Sequence, residues 1–199
     1  MEVYFVRHGQ TNGNVARRHQ HPDTPLNFVG EHQVSLIAKE IARLKPTHLI
    51  SSTQLRAIES TRIITSEYAV IPDTNADFAE LVRPDWLIGS RYLSFTTLRY
   101  LFEWFFRKEL PGGESYADFL ARVKRAREYL ESFPSDARVV VVSHAVFTNI
   151  FIDHLCREEK MRFLSAPFSF IRMLMIRNAG ITHLHFSPGQ NICGWSRVK

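Results

Sequence analysis

The sequence predicts an α/β fold, a three-layer sandwich in which a mainly parallel central sheet is flanked by helices. Two observations predict it. Short apolar runs of strand length alternate along the chain with stretches of helical periodicity. One run, Val139 to Val142, is four consecutive valines, the pattern of a strand buried on both faces at the centre of a parallel sheet.

The elements follow in order. Val3 to Val6 is too short and too rich in β-branched and aromatic residues for a helix, and Arg7, His8 and Gly9 end it in a turn. From Glu31 to Leu44, Val34, Ile37, Ala38 and Ile41 fall at helical spacing, and Pro46 closes the helix. His48 to Ile50 forms a second strand entering Ser51 and Ser52, and Leu55, Ile58, Thr61 and Ile63 suit a second helix with Arg56 near its first turn. Ser115 and Asp118 make a capping box for a helix carrying Phe119, Leu120 and Val123. The valine strand leads through Ser143 and His144 into a helix from about Val146 to Cys156. Ile171 to Ile176 and Ile181 to Phe186, flanking Asn178-Ala179-Gly180, predict a closing hairpin. Residues 1–199 are expected to form one domain.

At about 83–110 an aromatic segment interrupts the alternation and reads as an inserted cap. It carries Trp86, Tyr92, Phe95, Tyr100, Phe102, Trp104, Phe105 and Phe106. Its helix presents Leu98, Leu101, Phe102 and Phe105 on one face and Tyr100 and Trp104 on another, so both faces are expected to be covered. Core packing, a pocket for an apolar part of a substrate, and a homodimer interface all fit that pattern. Arg83, Arg91, Arg99 and Lys108 read either as a selector for a second anionic group or as rim charges.

Composition narrows the function classes. The 199 residues are 45% hydrophobic and 23% charged, the balance of an ordinary globular domain. A chain this long buries about 70% of its unfolded surface, so its core needs no metal or disulfide staple. Lys and Arg outnumber Asp and Glu by 25 to 20, spread along the chain without a basic stripe, which argues against a nucleic-acid partner. No run of about 18 apolar residues offers a membrane span, and Arg7 and His8 break the first apolar stretch before it could act as a signal core. Cys156 and Cys193, far apart and outside any metal spacing, read as two thiols in a reducing compartment. A cytoplasmic location is therefore expected.

Sheets of this kind bind ligands outside the carboxyl ends of their strands, where His8, Arg56 and His144 all fall. Arg7, His8 and Gly9, with Thr11 and Asn14 behind them, supply a bidentate cation, an imidazole and a backbone without a side chain, the groups that recognise phosphate. His19 with His21, and His183 with His185, alternate as metal ligands do, but no acidic or histidine partner completes either pair at recognisable spacing. No metal is expected. Arg17 and Arg18 stand either near substrate or in solvent.

Taken together, these segments resemble the histidine phosphatase superfamily, which includes the cofactor-dependent phosphoglycerate mutases. The resemblance runs through R-H-G-Q-T-N-G-N at 7–14, D-T-P-L-N-F-V-G at 23–30, S-S-T-Q-L-R-A at 51–57, Glu80, P-G-G-E-S-Y-A-D-F-L-A-R-V at 111–123 and V-V-V-S-H-A at 140–145. It implies a phosphoglycerate mutase-like fold and a two-step phosphoryl transfer needing neither metal nor cofactor. In that reading His8 is the nucleophile, and Arg7, Arg56 and His144 surround the phosphoryl oxygens. Glu80 is the general acid, with Asp77 and Asp85 close by in sequence, and Thr11 and Asn14 bind substrate. The partner is a small-molecule phosphomonoester.

The chain also departs from the pattern. Gln54 stands where the family commonly has Leu, and Ala145 replaces a glycine. The stretch L-V-R-P-D-W-L-I-G after Glu80 does not resemble the substrate segment of true mutases, which favours hydrolysis. A mutase-like phosphotransferase and a non-catalytic phosphate-binding module are the alternatives.

Overall fold

The computed structural model describes residues 1–107, 109–156, 176–189 and 193–198. Six strands form one sheet: β1 (Glu2–Arg7), β2 (His48–Ser51), β3 (Pro72–Thr74), β4 (Arg138–Ser143), β5 (Ile181–Phe186) and β6 (Trp195–Arg197). Their order is β3-β2-β4-β1-β5-β6. The first four are parallel, and β5 and β6 add an antiparallel edge. The helices are α1 (Asn12–Ala16), α2 (Phe28–Arg43), α3 (Leu55–Glu67), α4 (Phe95–Phe106), α5 (Tyr116–Glu131) and α6 (Ala145–His154).

The pleat of β4 explains the three layers. Val139 and Val141 join Val3, Phe5 and the inner faces of α5 and α6, through Phe119, Val123, Phe147 and Phe151. Val140 and Val142 point the other way, against Val34, Ala38 and Ile41 of α2 and Ala57 and Ile64 of α3. All four valines are fully buried. The run of valines thus marks a strand with helices on both sides, as its sequence predicts.

Several boundaries differ from expectation. Helix α2 begins at Phe28, three residues ahead of the expected start at Glu31, because Asn27 caps it, accepting the Gly30 N–H at 2.8 Å. Strands β3 and β6 are three residues each; β3 is wholly exposed and carries no apolar signal. Of the expected closing hairpin, residues 171–175 lie outside the described residues, and β5 pairs with β1 and β6. The turn Asn178–Gly180 is present, with Ala179 in the left-handed region at φ 56.

The cap helix α4 is covered on one face. Tyr100 and Trp104 are buried, and Trp104 lies edge-on to Tyr116 and Phe119 of α5. Phe95, Leu98, Phe102 and Phe106 are exposed, from 83% at Phe95 to 59% at Phe106, so the chain itself covers only one face. The reason lies in the register. The buried stripe also takes Thr97 and Glu103, whose polar ends bond to His19 and Arg99, and this turns Leu98 and Phe102 outward.

Cys156 and Cys193 correct the reading as separate thiols: they form a disulfide, with Cα atoms 5.2 Å apart. Distance in sequence concealed a meeting in space. The end of α6 and the start of β6 pack together through Phe151 and Trp195, whose ring centroids lie 5.9 Å apart. Among the described residues, no helix is long and apolar enough to cross a membrane.

Candidate active site

The order of the parallel strands sets the order of the chemistry. β1 and β4 are neighbours paired Arg7 to Ser143, so the next residues, His8 and His144, emerge side by side with ring centroids 5.1 Å apart. β2 lies on the other side of β4, and Arg56 enters from the first turn of α3 just beyond it. Glu80 follows the edge strand β3. Residues far apart in the chain therefore converge at the carboxyl ends of four adjacent strands.

His8 is buried and held in one tautomer. Its Nδ1 lies 2.7 Å from the Gly9 carbonyl oxygen, which can only accept, so Nδ1 carries the proton and Nε2 keeps its lone pair. Burial first, then Arg56 and Arg7, hold its pKa well below the ordinary value of 6.5. The surrounding loop is pinned by Gly9 N–H to Ser60 Oγ at 3.2 Å and His8 N–H to the Ser143 carbonyl at 3.0 Å. Gly9 serves packing: a Cβ there would stand 2.4 Å from the Gly30 carbonyl oxygen, and no side chain fits between this loop and α2.

His144 is fully buried, with its Nε2 2.7 Å from Ser52 Oγ. Ser52 Oγ also accepts from the Gln54 N–H at 3.3 Å, which ties the His144 ring to the start of α3. The other ring nitrogen, Nδ1, has no partner among the described residues. Burial, then Arg56, lower its pKa well below 6.5.

Both arginines are gripped at one end. Arg7 donates through Nη1 to the Ile176 carbonyl, and Arg56 donates to the His21 carbonyl at 3.1 Å and to Gln54 Oε1. Gln54, the departure from the family pattern, therefore orients Arg56. The Nε–H of each arginine is buried without a partner among the described residues. Burial pulls the Arg56 pKa down to about 10, opposed by Glu80, so the guanidinium stays charged at neutral pH.

Glu80 sits at the N-terminus of α6. Its Oε1 accepts the N–H groups of Leu81 and Phe147, both at 3.1 Å, and its Oε2 accepts that of Val146 at 3.2 Å. The helix end accounts for the position, since its N–H groups have no intrahelical acceptor. Oε2, with one hydrogen bond, keeps a lone pair able to hold a proton. Asp77 is tied to Arg125 at 2.8 Å and Asp85 is exposed; neither lines the cavity.

Thr11 is buried as the cap of α1, its hydroxyl 3.0 Å from Asn14 Oδ1 and 2.5 Å from Gln20 Oε1, and it does not line the cavity. Asn14 does line it. Its Oδ1 accepts from Thr11 and, at 3.0 Å, from Asn178. Asn178 also reaches the carbonyls of His8 and Gly9, both at 3.3 Å, so this turn residue stitches the His8 loop from 170 residues away. Sequence reasoning does not single out Asn178 or Gln20, although the turn signature around Asn178 is visible, and it reads Tyr92 only as part of the aromatic cap. The histidine pairs do other work. His19 bonds Thr97, His21 approaches Asp23, and His183 and His185 share Glu2.

The buried histidines make stability depend on pH. The folded pKa values of His8 and His144 are depressed, and that of His19 falls to about 3, mainly through burial. Below pH 6.5, the ordinary histidine value, the unfolded chain binds protons that the folded chain refuses. The stabilisation is thus fully present above 6.5 and lost as pH falls toward the folded values, at up to about 1.4 kcal/mol per pH unit for each histidine. Melting temperature measured from pH 8 to pH 5 should be level at first and then fall steeply. A level curve down to pH 5 would contradict neutral burial.

Arg7, His8, Asn14, Arg56 and Glu80 line a cavity of about 820 Å³, roofed by Arg83, Arg91, Tyr92 and Leu93 from the cap segment; His144, fully buried beside His8, is not part of its lining. A sequence model described as the histidine phosphatase superfamily (branch 1) matches residues 3–196. The protein named "Probable phosphoglycerate mutase GpmB" from Serratia proteamaculans (strain 568) is 28% identical over 206 residues, covering 98% of this chain and 90% of that one. Its namesake from Salmonella typhi is 28% identical over 203 residues, with the same coverage. Among solved structures, mycobacterial glucosyl-3-phosphoglycerate phosphatase in complex with VO3 matches with a TM-score of 0.74 at 22% identity, over 99% of this chain and 96% of that one. Bacillus stearothermophilus YhfR matches with a TM-score of 0.75 at 22% identity, over 94% and 92%. The structural likenesses carry the fold, and the sequence model, matched across both histidines and both arginines, carries the family: the chain belongs to the histidine phosphatase superfamily.

Proposed function

We propose that the chain is a phosphatase that hydrolyses a phosphomonoester through a phosphohistidine on His8, without a metal or cofactor. One observation carries the reading. Arg7, His8, Arg56 and Glu80 line one cavity, His144 lies beside His8 with ring centroids 5.1 Å apart, and His8 Nε2 keeps its lone pair. A phosphoryl group suits that arrangement: its oxygens answer the fixed cations, and phosphorus faces the nucleophile.

In the first step His8 Nε2 attacks phosphorus, the P–O ester bond breaks, and Glu80 gives a proton from Oε2 to the leaving oxygen. In the second, water attacks phosphorus, Glu80 takes the water's proton, and the P–N bond breaks to release phosphate and neutral His8. The fixed cations stabilise charge on the transferring oxygens in both steps. The names of the relatives favour a second reading, in which a substrate hydroxyl replaces water as acceptor. It shares every step up to the phosphohistidine.

The test is phosphate release by the native chain from a panel of phosphomonoesters in the presence of EDTA. Chelator-resistant release is expected. Release that EDTA abolishes would overturn the metal-free mechanism, and phosphoryl transfer between substrates without release would favour the mutase.

A further inference from the structure

Helix α4 buries one stripe and shows another. Thr97, Tyr100, Glu103 and Trp104 turn inward, and Phe95, Leu98, Phe102 and Phe106 stand on the opposite side, each more than half exposed. Their spacing of three and four residues sets them in one row along the helix, about 16 Å from end to end. No charged side chain stands in the row. The flanking cations Arg99 and Arg107 both meet Glu103 of the same helix, at 2.9 and 3.7 Å, while Lys108 lies outside the described residues. Covering the row therefore buries no unpaired charge.

The row is also held ready. Ser94 caps the helix, its Oγ accepting the Thr97 N–H at 3.2 Å, and Trp104 packs edge-on against Tyr116 and Phe119 of α5. On the outer side the Phe102 and Phe106 rings lie against each other, with centroids 4.8 Å apart. A rigid, capped helix thus presents the apolar face already formed.

Its size has a meaning. An aromatic side chain offers about 200 Å², so at these exposures the row shows about 500 Å² of apolar surface. A standard interface takes about 800 Å² from each partner, and in homodimers about 65% of that is apolar, which comes to about 520 Å². Single exposed apolar side chains call for no partner; a contiguous row of this area does.

Symmetry names the partner. Phe95 with Phe106, and Leu98 with Phe102, stand almost evenly on either side of Tyr100 and Leu101, so the helix turned end for end presents the same row again. Two copies packed antiparallel set Phe95 of each against Phe106 of the other, and Leu98 of each against Phe102 of the other. Such a surface is its own complement, as a two-fold interface requires.

We propose that the outer face of α4 is a homodimer interface, in which two copies of this chain pack α4 against α4, antiparallel, about a two-fold axis. The dimer does not depend on the phosphatase reading.

Sedimentation velocity of the full chain tests it. The native chain should sediment as a species of twice the 23.1 kDa chain mass at about 10 μM and above. Leu98→Glu and Phe102→Lys each place a lone charge in the contact and should raise the dissociation constant at least about 100-fold. Both positions are exposed, so the monomers should keep the native far-ultraviolet circular dichroism. Mixing the two variants should restore the dimer, because antiparallel packing sets position 98 of one against position 102 of the other and the introduced charges are opposite. A native chain that stays monomeric, or a dimer that persists in both variants, would overturn the interface, and a mixture that stays monomeric would overturn the antiparallel pairing. A monomeric native chain that instead co-sediments with phosphatidylcholine vesicles would assign the face to a lipid surface and overturn the dimer.

Discussion

Substituting His8 with alanine is expected to lower phosphate release by about 10⁴-fold or more, because the nucleophile that divides the reaction into two steps is gone. The fold should survive. His8 contributes one hydrogen bond, to the Gly9 carbonyl, whose loss is worth about 1 kcal/mol, and the loop stays pinned by Ser60, Ser143 and Asn178. Two further readouts separate the nucleophile from a bystander. The native chain mixed with labelled substrate and quenched in alkali should retain label on His8, acid-labile as a phosphoramidate is, and the variant should retain none. The variant should also resist acid better, since it lacks one of the three buried neutral histidines that refuse protons below pH 6.5. A variant keeping more than about 1% of native turnover would remove His8 from the nucleophile's role.

What was legible in the sequence follows from where each signal lies. His8 and His144 could be read because each ends an apolar run, and Arg56 because it opens a helix just after one; strand direction alone brings such positions to one edge of the sheet. Glu80 could not be read that way. It follows an exposed three-residue strand with no apolar pattern, and only the resemblance singled it out from Asp77 and Asp85. Asn178 and the Cys156–Cys193 pair depend on contacts across long stretches of chain that no local pattern encodes. The cap was legible only in part. Its sequence is apolar around much of the helix, so periodicity could not say which face turns inward, and the polar contacts of Thr97 and Glu103 decided it.

Glu80→Gln tests whether the same carboxyl group is an acid or a clamp, because the geometry gives it both tasks. As acid, it protonates a leaving alkoxide, so the variant should lose about 10²- to 10⁴-fold in kcat on alkyl phosphates. p-Nitrophenyl phosphate, whose phenolate leaves without a proton, should lose less than about tenfold in the step that forms the phosphohistidine. As clamp, the carboxylate receives two backbone N–H groups at the start of α6, from Val146 and Phe147, besides the N–H of Leu81. An amide offers one oxygen: set toward Leu81 and Phe147, it turns its NH₂ against the Val146 N–H, donor facing donor. That conflict should lower stability by about 1–3 kcal/mol. Rapid-quench kinetics on both substrates, run beside a thermal melt, separates the tasks. A melt that falls while both substrates lose turnover equally would leave Glu80 as a clamp on α6. A large selective loss on the alkyl ester makes it the proton donor, since positioning α6 does not depend on which group is leaving.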